Sequence, residues 1–145
     1  FQDNKIIYNF ITQADAARLV GNLYSNQNNN YVSDLVNSYA HDSALIFIQN
    51  CSKDTKYSTQ KYLQGDVVNT GQSTDGTNKD VRCNIYDLAA NVEEWSTETN
   101  TATSSPCQSY GSYNGYGYGV ASTRGSGSMI GNQNEVTGFR RYFVY

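Results

Sequence analysis

The sequence predicts an α+β fold, with two helices first and short strands among long polar loops after them. Three observations lead there. Apolar residues recur at helical spacing only in the first third of the chain. Turn-forming residues then dominate, with brief apolar runs between them. The chain closes on an aromatic-rich run at residues 139–145 that reads as a strand. Helices followed by strands, rather than alternating with them, mark α+β.

The first helix is predicted to start at Thr12, a capping residue with Asp15 three positions on. Ala16, Val20, Leu23 and Tyr24 follow at helical spacing, and the polar run at residues 26–30 ends the helix. Ser33 and Asp34 are expected to open a second helix. Its apolar face would be Leu35, Val36, Tyr39, Ala40, Ala44, Phe47 and Ile48, with an end near Asn50. Residues 65–80 are rich in turn formers, with Asp75-Gly76 a tight turn. Residues 84–88 and 92–95 carry short apolar runs, the second read as a strand.

A length of 145 residues fits one domain, residues 1–145. Mean hydropathy is −0.62, yet only 16% of residues are charged, so the polarity comes from Asn, Ser, Thr, Gln and Tyr. That is not the composition of a charged disordered tail. A net charge of −3 without a basic stripe argues against nucleic acid as partner. No apolar run reaches the roughly 20 residues of a membrane span. The chain starts at Phe1 without a signal-peptide pattern and reads as the C-terminal part of something longer.

Cys51, Cys83 and Cys107 cannot all pair within one chain, and their spacing fits no zinc motif. Buried thiols are the favoured reading. The competing reading is a Cys83–Cys107 bridge, which needs an oxidising compartment. His41, the sole histidine, reads as a structural helix residue, and one histidine cannot build a Ser/His/Asp triad.

Residues 104–119 stand out for containing Tyr, Gly, Ser and Asn with almost no aliphatic side chain. Tyr supplies a large amphipathic ring with few rotatable bonds, Ser and Asn supply adaptable hydrogen bonds, and Gly lets the backbone turn. Antibody loops use the same mixture. A flexible linker is the bland alternative, but the segment lies inside the chain and is followed by core-like sequence. Binding is therefore the favoured role, with at least one of the tyrosines packed on the core.

The run Cys83-Asn84-Ile85-Tyr86-Asp87-Leu88-Ala89-Ala90-Asn91-Val92-Glu93-Glu94-Trp95 resembles the N-x-Y-D-[LM]-x-G-N-V-x-E-W signature of formylglycine-generating-enzyme-like (sulfatase-modifying-factor) domains. Arg124-Gly125-Ser126 resembles the start of that family's R-G-G-S motif, and Gly138-Phe139-Arg140 its closing G-F-R. Tyr39-Ala40-His41-Asp42-Ser43-Ala44 falls where the family has a Trp- and acid-containing helical motif. The chain departs from the pattern at Ala90, Glu93 and Ser126. The resemblance implies the C-type lectin fold, in which two helices pack on a small twisted antiparallel sheet with long loops. It also implies a strand before the first helix, paired with the C-terminal strand. Residues 5–10 are the candidate, unless that strand lies upstream of Phe1.

The family's enzymes oxidise cysteine with thiolates placed after the R-G-G-S motif. No cysteine follows Cys107 here, so no such activity and no required cofactor is expected. The resemblance is greatest to the variable proteins of diversity-generating retroelements, a non-enzymatic branch. These vary surface residues between the Trp motif and the closing G-F-R, by a mutagenesis that enriches Asn, Tyr, Ser, Thr, Asp and Gly. It implies a ligand face of Tyr110, Ser112, Tyr113, Asn114, Tyr116 and Tyr118 beside Ser128, Ile130 and Asn132. The implied partner is a protein or glycan on a cell surface. The implied location is a virion or cell surface, with oligomers compatible and no membrane insertion. A catalytically inactive enzyme relative with a structural or adhesin role is the alternative.

The resemblance further implies a structural Ca²⁺ held by Asp87, Ala90, Val92 and Glu94, through carboxylates and backbone carbonyls. The competing reading has Asp87 bonded to backbone amides in a turn and Glu94 paired with Arg124 or Arg140.

Overall fold

A computed structural model describes residues 4–23, 32–59, 67–73, 76–111 and 120–144. The fold is α+β, with two α-helices and small antiparallel and mixed sheets among the described residues. Helix α1 spans Gln13–Asn22, and the Thr12 side chain caps it by accepting from the Asp15 amide at 3.1 Å. Ala16 and Val20 are buried as their spacing predicts, whereas Leu23 is 45% exposed. Tyr24 lies outside the described residues.

The predicted start of the second helix is wrong. Ser33 and Asp34 lie in a strand, β1 (Val32–Leu35), which pairs antiparallel with β8 (Arg141–Val144). Burial alternates along β1, with Ser33 and Leu35 inside. Helix α2 begins after it and spans Ser38–Cys51, capped by Asn37 accepting from the Ala40 amide at 2.9 Å. Ser33 and Asn37 are both good capping types. The strand pairing with β8, at the far end of the chain, decides between them. The buried face of α2 is therefore Ala40, His41, Leu45 and Ile48. Tyr39 and Phe47, expected inside, are 84% and 52% exposed.

A two-residue hairpin joins β2 (Val81–Arg82) to β3 (Ile85–Tyr86). Cys83 and Asn84 at its tip both have positive φ, +51° and +62°, the backbone that a tight hairpin of right-handed twist requires. The Cys83 tip is bonded to the last residue of α2 by a Cys51–Cys83 disulfide, with the Cα atoms 6.3 Å apart. The buried-thiol reading holds for Cys107 alone, and the Cys83–Cys107 bridge is not formed. Gly76 has a φ of +78°, in keeping with a turn, while Asp75 lies outside the described residues.

The main sheet has the order β6-β5-β4-β7, formed by β4 (Glu93–Thr99), β5 (Cys107–Tyr110), β6 (Arg124–Ser128) and β7 (Thr137–Phe139). Only the β4–β7 pair is parallel. Glu94 is opposite Tyr110 and Trp95 opposite Ser109, so Glu94 and Tyr110 share one face and Trp95 the other. Trp95 packs with Ile11, Ala16, Val20 and Leu35 on the α1 side, and Tyr110 packs with Val36 and Ala40 on the α2 side. A third cluster joins Leu45 and Ile48 to Tyr57, Leu88, Ala89, Ala90 and Ala121. Residues 5–10 run beside β7, joined by an Asn9–Gly138 bridge and a bond from the Phe10 amide to the Asn134 carbonyl. They do not pair with the last strand, a place taken by β1. Among the described residues no helix is long and apolar enough to cross a membrane.

Candidate binding surface

The segment 104–119 is not one surface. Residues 104–106 belong to the connection between β4 and β5, closed by a bond from the Asn100 amide to the Pro106 carbonyl. Strand β5 follows, and it buries Cys107, Ser109 and Tyr110. Ser112, Tyr113, Asn114, Tyr116 and Tyr118 lie outside the described residues.

Tyr110 is a correction to the expected ligand face, because it is 0% exposed. Its ring fills the space between β5 and α2, 4.9 Å from the His41 ring. The Arg124 guanidinium lies over the same ring, 5.1 Å from its centroid, a cation–π contact. Its hydroxyl donates to the Glu98 carboxylate, which also accepts from the Ser38 amide at 3.0 Å. Burial first, then the hydrogen bond to Glu98 and the charge of that carboxylate, push the Tyr110 phenol up to about 12. Arg124 in turn holds both oxygens of Asp42 at 2.8 Å. The first turn of α2 is thus tied to β4, β5 and β6 by side chains.

The backbone that leaves β5 and the backbone that enters β6 meet. The Gly111 amide donates to the Thr123 carbonyl at 3.0 Å. Gly111 has φ +81°, and a Cβ there would sit 2.9 Å from the Leu88 carbonyl oxygen, so only glycine fits. Residues 120–123 form a bonded turn: the Thr123 amide donates to the Val120 carbonyl, and the Val120 amide to Thr123 Oγ1. The Ser122 amide reaches the Ser58 carbonyl in the 3₁₀ turn Tyr57–Thr59, and His41 Nε2 reaches the Ala121 carbonyl at 2.8 Å.

Ser128, Ile130 and Asn132 do not flank this base. Ser128 pairs with Cys107, whereas Arg124 pairs with Tyr110. Ser128 is therefore at the other end of the hairpin, about 10 Å along β5 from Tyr110 at strand rise. Ile130 is 65% exposed and Asn132 closes a turn onto the Met129 carbonyl. Their neighbours at that end are the β4–β5 connection and the 63% exposed Met129.

At the implied cation site, the competing electrostatic reading describes the contacts. Arg140 donates from Nε to Glu94 Oε1 at 2.7 Å, and its Nη2 lies 2.6 Å from the same oxygen and 2.7 Å from the Tyr86 carbonyl. Asp87 Oδ2 accepts from the Gly71 amide at 2.9 Å and from Asn91 Nδ2 at 3.3 Å. The Ala90 carbonyl takes the Val92 amide at 3.1 Å. Asp87 Oδ1 and Glu94 Oε2 are buried without a protein partner. Among the described residues, no three His, Cys, Asp or Glu side chains converge as a metal-holding group. One oxygen of each carboxylate is thus left open, while the Arg140 guanidinium holds the other oxygen of Glu94. Burial, followed by the nearby Asp80 charge among the raising influences, lifts the Asp87 carboxyl to about 6.

Sequence reasoning missed Glu98, Asp42 and Thr123, which hold this region together. It also missed the buried Tyr57–Asp80 bond at 2.8 Å. Polar residues carry no signal of their partners by themselves, and those partners lie up to 82 residues away. Compared with protein-family models, with curated proteins and with solved structures, the chain matches none.

Proposed function

We propose that this chain is a ligand-binding domain of the non-enzymatic, retroelement-variable type on a C-type lectin scaffold, presenting residues 112–119 to a protein or glycan on a cell surface. The observation that carries the reading is the closed base of that segment. Gly111 and Thr123 are hydrogen-bonded to each other, and the neighbouring Tyr110 and Ala121 are fully buried. A Tyr/Gly/Ser/Asn segment held at both ends on a packed sheet loses less entropy on binding than a free linker. The ligand face is narrower than composition alone suggests, since Tyr110 belongs to the support.

Thiol chemistry has little to work with. Cys51 and Cys83 are bonded to each other, and burial pushes the Cys107 thiol up, away from the reactive thiolate. A disulfide also fits an oxidising location such as a virion or cell surface.

The test is retention of the immobilised chain on a glycan array and on intact bacterial cells. Replacing Tyr113, Tyr116 and Tyr118 together by Ser should leave the melting temperature unchanged and weaken retention at least tenfold, a loss of about 1.4 kcal/mol. Equal retention by the two proteins would sink the reading. In the source genome, an adjacent reverse transcriptase gene with an imperfect repeat of the region encoding residues 95–145 would establish diversification.

A further inference from the structure

His41 is the only histidine of the chain, and it is 1% exposed on the inner side of α2. Its imidazole bonds to nothing on its own helix. Nε2 instead meets the Ala121 carbonyl, 80 residues away, at 2.8 Å. A carbonyl only accepts, so Nε2 carries the hydrogen and Nδ1 is the bare acceptor. Nδ1 is buried without a partner, a cost the site bears to keep the other nitrogen donating. Burial also holds the imidazole below its ordinary titration range, which keeps the ring neutral.

Ala121 is fully buried in the centre of the 120–123 turn. Among the described residues, the other bonds of that turn are backbone bonds or come from its own Thr123. Among the described residues, His41 is the side chain of α2 that bonds to the turn itself, while the Arg124–Asp42 pair joins α2 to the strand that follows it. Resting on the binding reading above, we infer that His41 is a positioning residue that fixes the return point of the 112–119 segment, acting through the Ala121 carbonyl. It contacts no ligand. Its hydrogen bond sets where residue 120 re-enters the scaffold, and the Gly111–Thr123 bond carries that constraint to the point of departure.

Amide hydrogen exchange on the free chain tests this. His41→Leu keeps the volume and removes the donor. The amides of Gly111, Ser122 and Thr123 should exchange about tenfold faster in it, the factor set by one buried hydrogen bond. The amides of Ala16 and Val20 in α1 should be unchanged. His41→Gln keeps a neutral N–H at similar reach and should restore most of the protection. Unchanged exchange in His41→Leu, equal acceleration in α1, or no rescue by Gln would overturn the inference. The wild-type ring gives an answer even if His41→Leu does not fold. Nitrogen NMR should find the neutral Nε2–H form with a slowly exchanging proton, and an Nδ1–H form or a rapidly exchanging proton would count against it. These readings need no ligand, so a failed clamp is distinguishable from a failed binding surface, which shows as lost retention with exchange intact.

Discussion

On one face of the main sheet, Trp95 is enclosed by Ile11, Ala16, Val20 and Leu35, and its indole N–H reaches the Ile11 carbonyl at 2.8 Å. On the other face, Glu94 and Tyr110 stand side by side, joined by bonds to Arg140 and Glu98 and touched by His41 and Arg124. The first face is apolar and non-directional in its attraction, so it sets how stable the domain is. The second is polar, and its bonds have fixed lengths and angles. It sets where things are, including the base of the candidate binding segment. If this contrast holds, substitutions on the two faces should differ in kind as well as in size.

The largest effect is expected from Trp95→Ala. The side chain is 0% exposed, and removing it leaves a cavity that α1 cannot close without moving. A loss of about 4–5 kcal/mol follows, measurable by urea denaturation, a large share of the stability of a domain this size. A loss under about 2 kcal/mol would mean that the α1 face is not the principal core.

Next comes Arg140→Met. Glu94 is 4% exposed at its side chain, and its guanidinium partner 16%. Removing the cation strands a buried carboxylate and should cost about 3 kcal/mol, whereas Arg140→Met with Glu94→Gln should recover much of it. The same pair tests the implied calcium site. Wild-type chain should show no thermal shift between calcium and chelator, because the guanidinium already balances the charge of Glu94 through one of its oxygens. A clear shift would restore the metal reading.

Titration gives the third effect. The folded Asp87 carboxyl titrates at about 6 against an ordinary 3.8. Its contribution to stability is therefore full below 3.8 and is lost as pH rises through about 6, on the order of 2–3 kcal/mol. His41 works the other way. Its folded value is lowered from 6.5, so its contribution is full above 6.5 and is lost as pH falls. Asp87→Asn should flatten the decline in stability between pH 4 and 7 and leave the acid-side loss exposed. Melting temperatures across that range check it, and identical profiles would show that Asp87 titrates normally.

Legibility in the sequence follows the same division. The apolar face was readable: Thr12 as cap, Ala16 and Val20 at helical spacing, and the strand containing Trp95 all follow from local pattern. So was the choice between calcium and an arginine partner for Glu94, as a pair of alternatives. The polar face was not readable, because each of its bonds joins distant positions. Val32–Leu35 looked like a helix start since Ser33 and Asp34 are cap types, and only the strand at Arg141–Val144 makes them β. Tyr110 looked like a surface residue because composition averages over a strand's two sides. Tyr suits both surfaces, being apolar in body and polar at its tip. The Cys51–Cys83 bond is set by the tip of a hairpin meeting the end of a helix, which spacing does not encode.

Tyr110→Phe is the smallest and most discriminating change. It keeps the ring against His41 and under Arg124, and deletes only the hydroxyl that donates to Glu98. Glu98 keeps the Ser38 amide as a partner, so the loss should be about 1 kcal/mol, the net value of one hydrogen bond. The carboxyl of Glu98, which its hydrogen bonds from Ser38 and Tyr110 hold below its usual range, should move back toward that range in the variant. Exchange at Ala16 and Val20 should stay as in wild type, because the apolar face is untouched. Retention on cells should fall only if the base of the binding segment shifts with the ring. Full retention with a 1 kcal/mol loss would identify Tyr110 as support for the fold alone. A loss of retention at that small cost in stability would show that the polar face sets the position of the segment it carries.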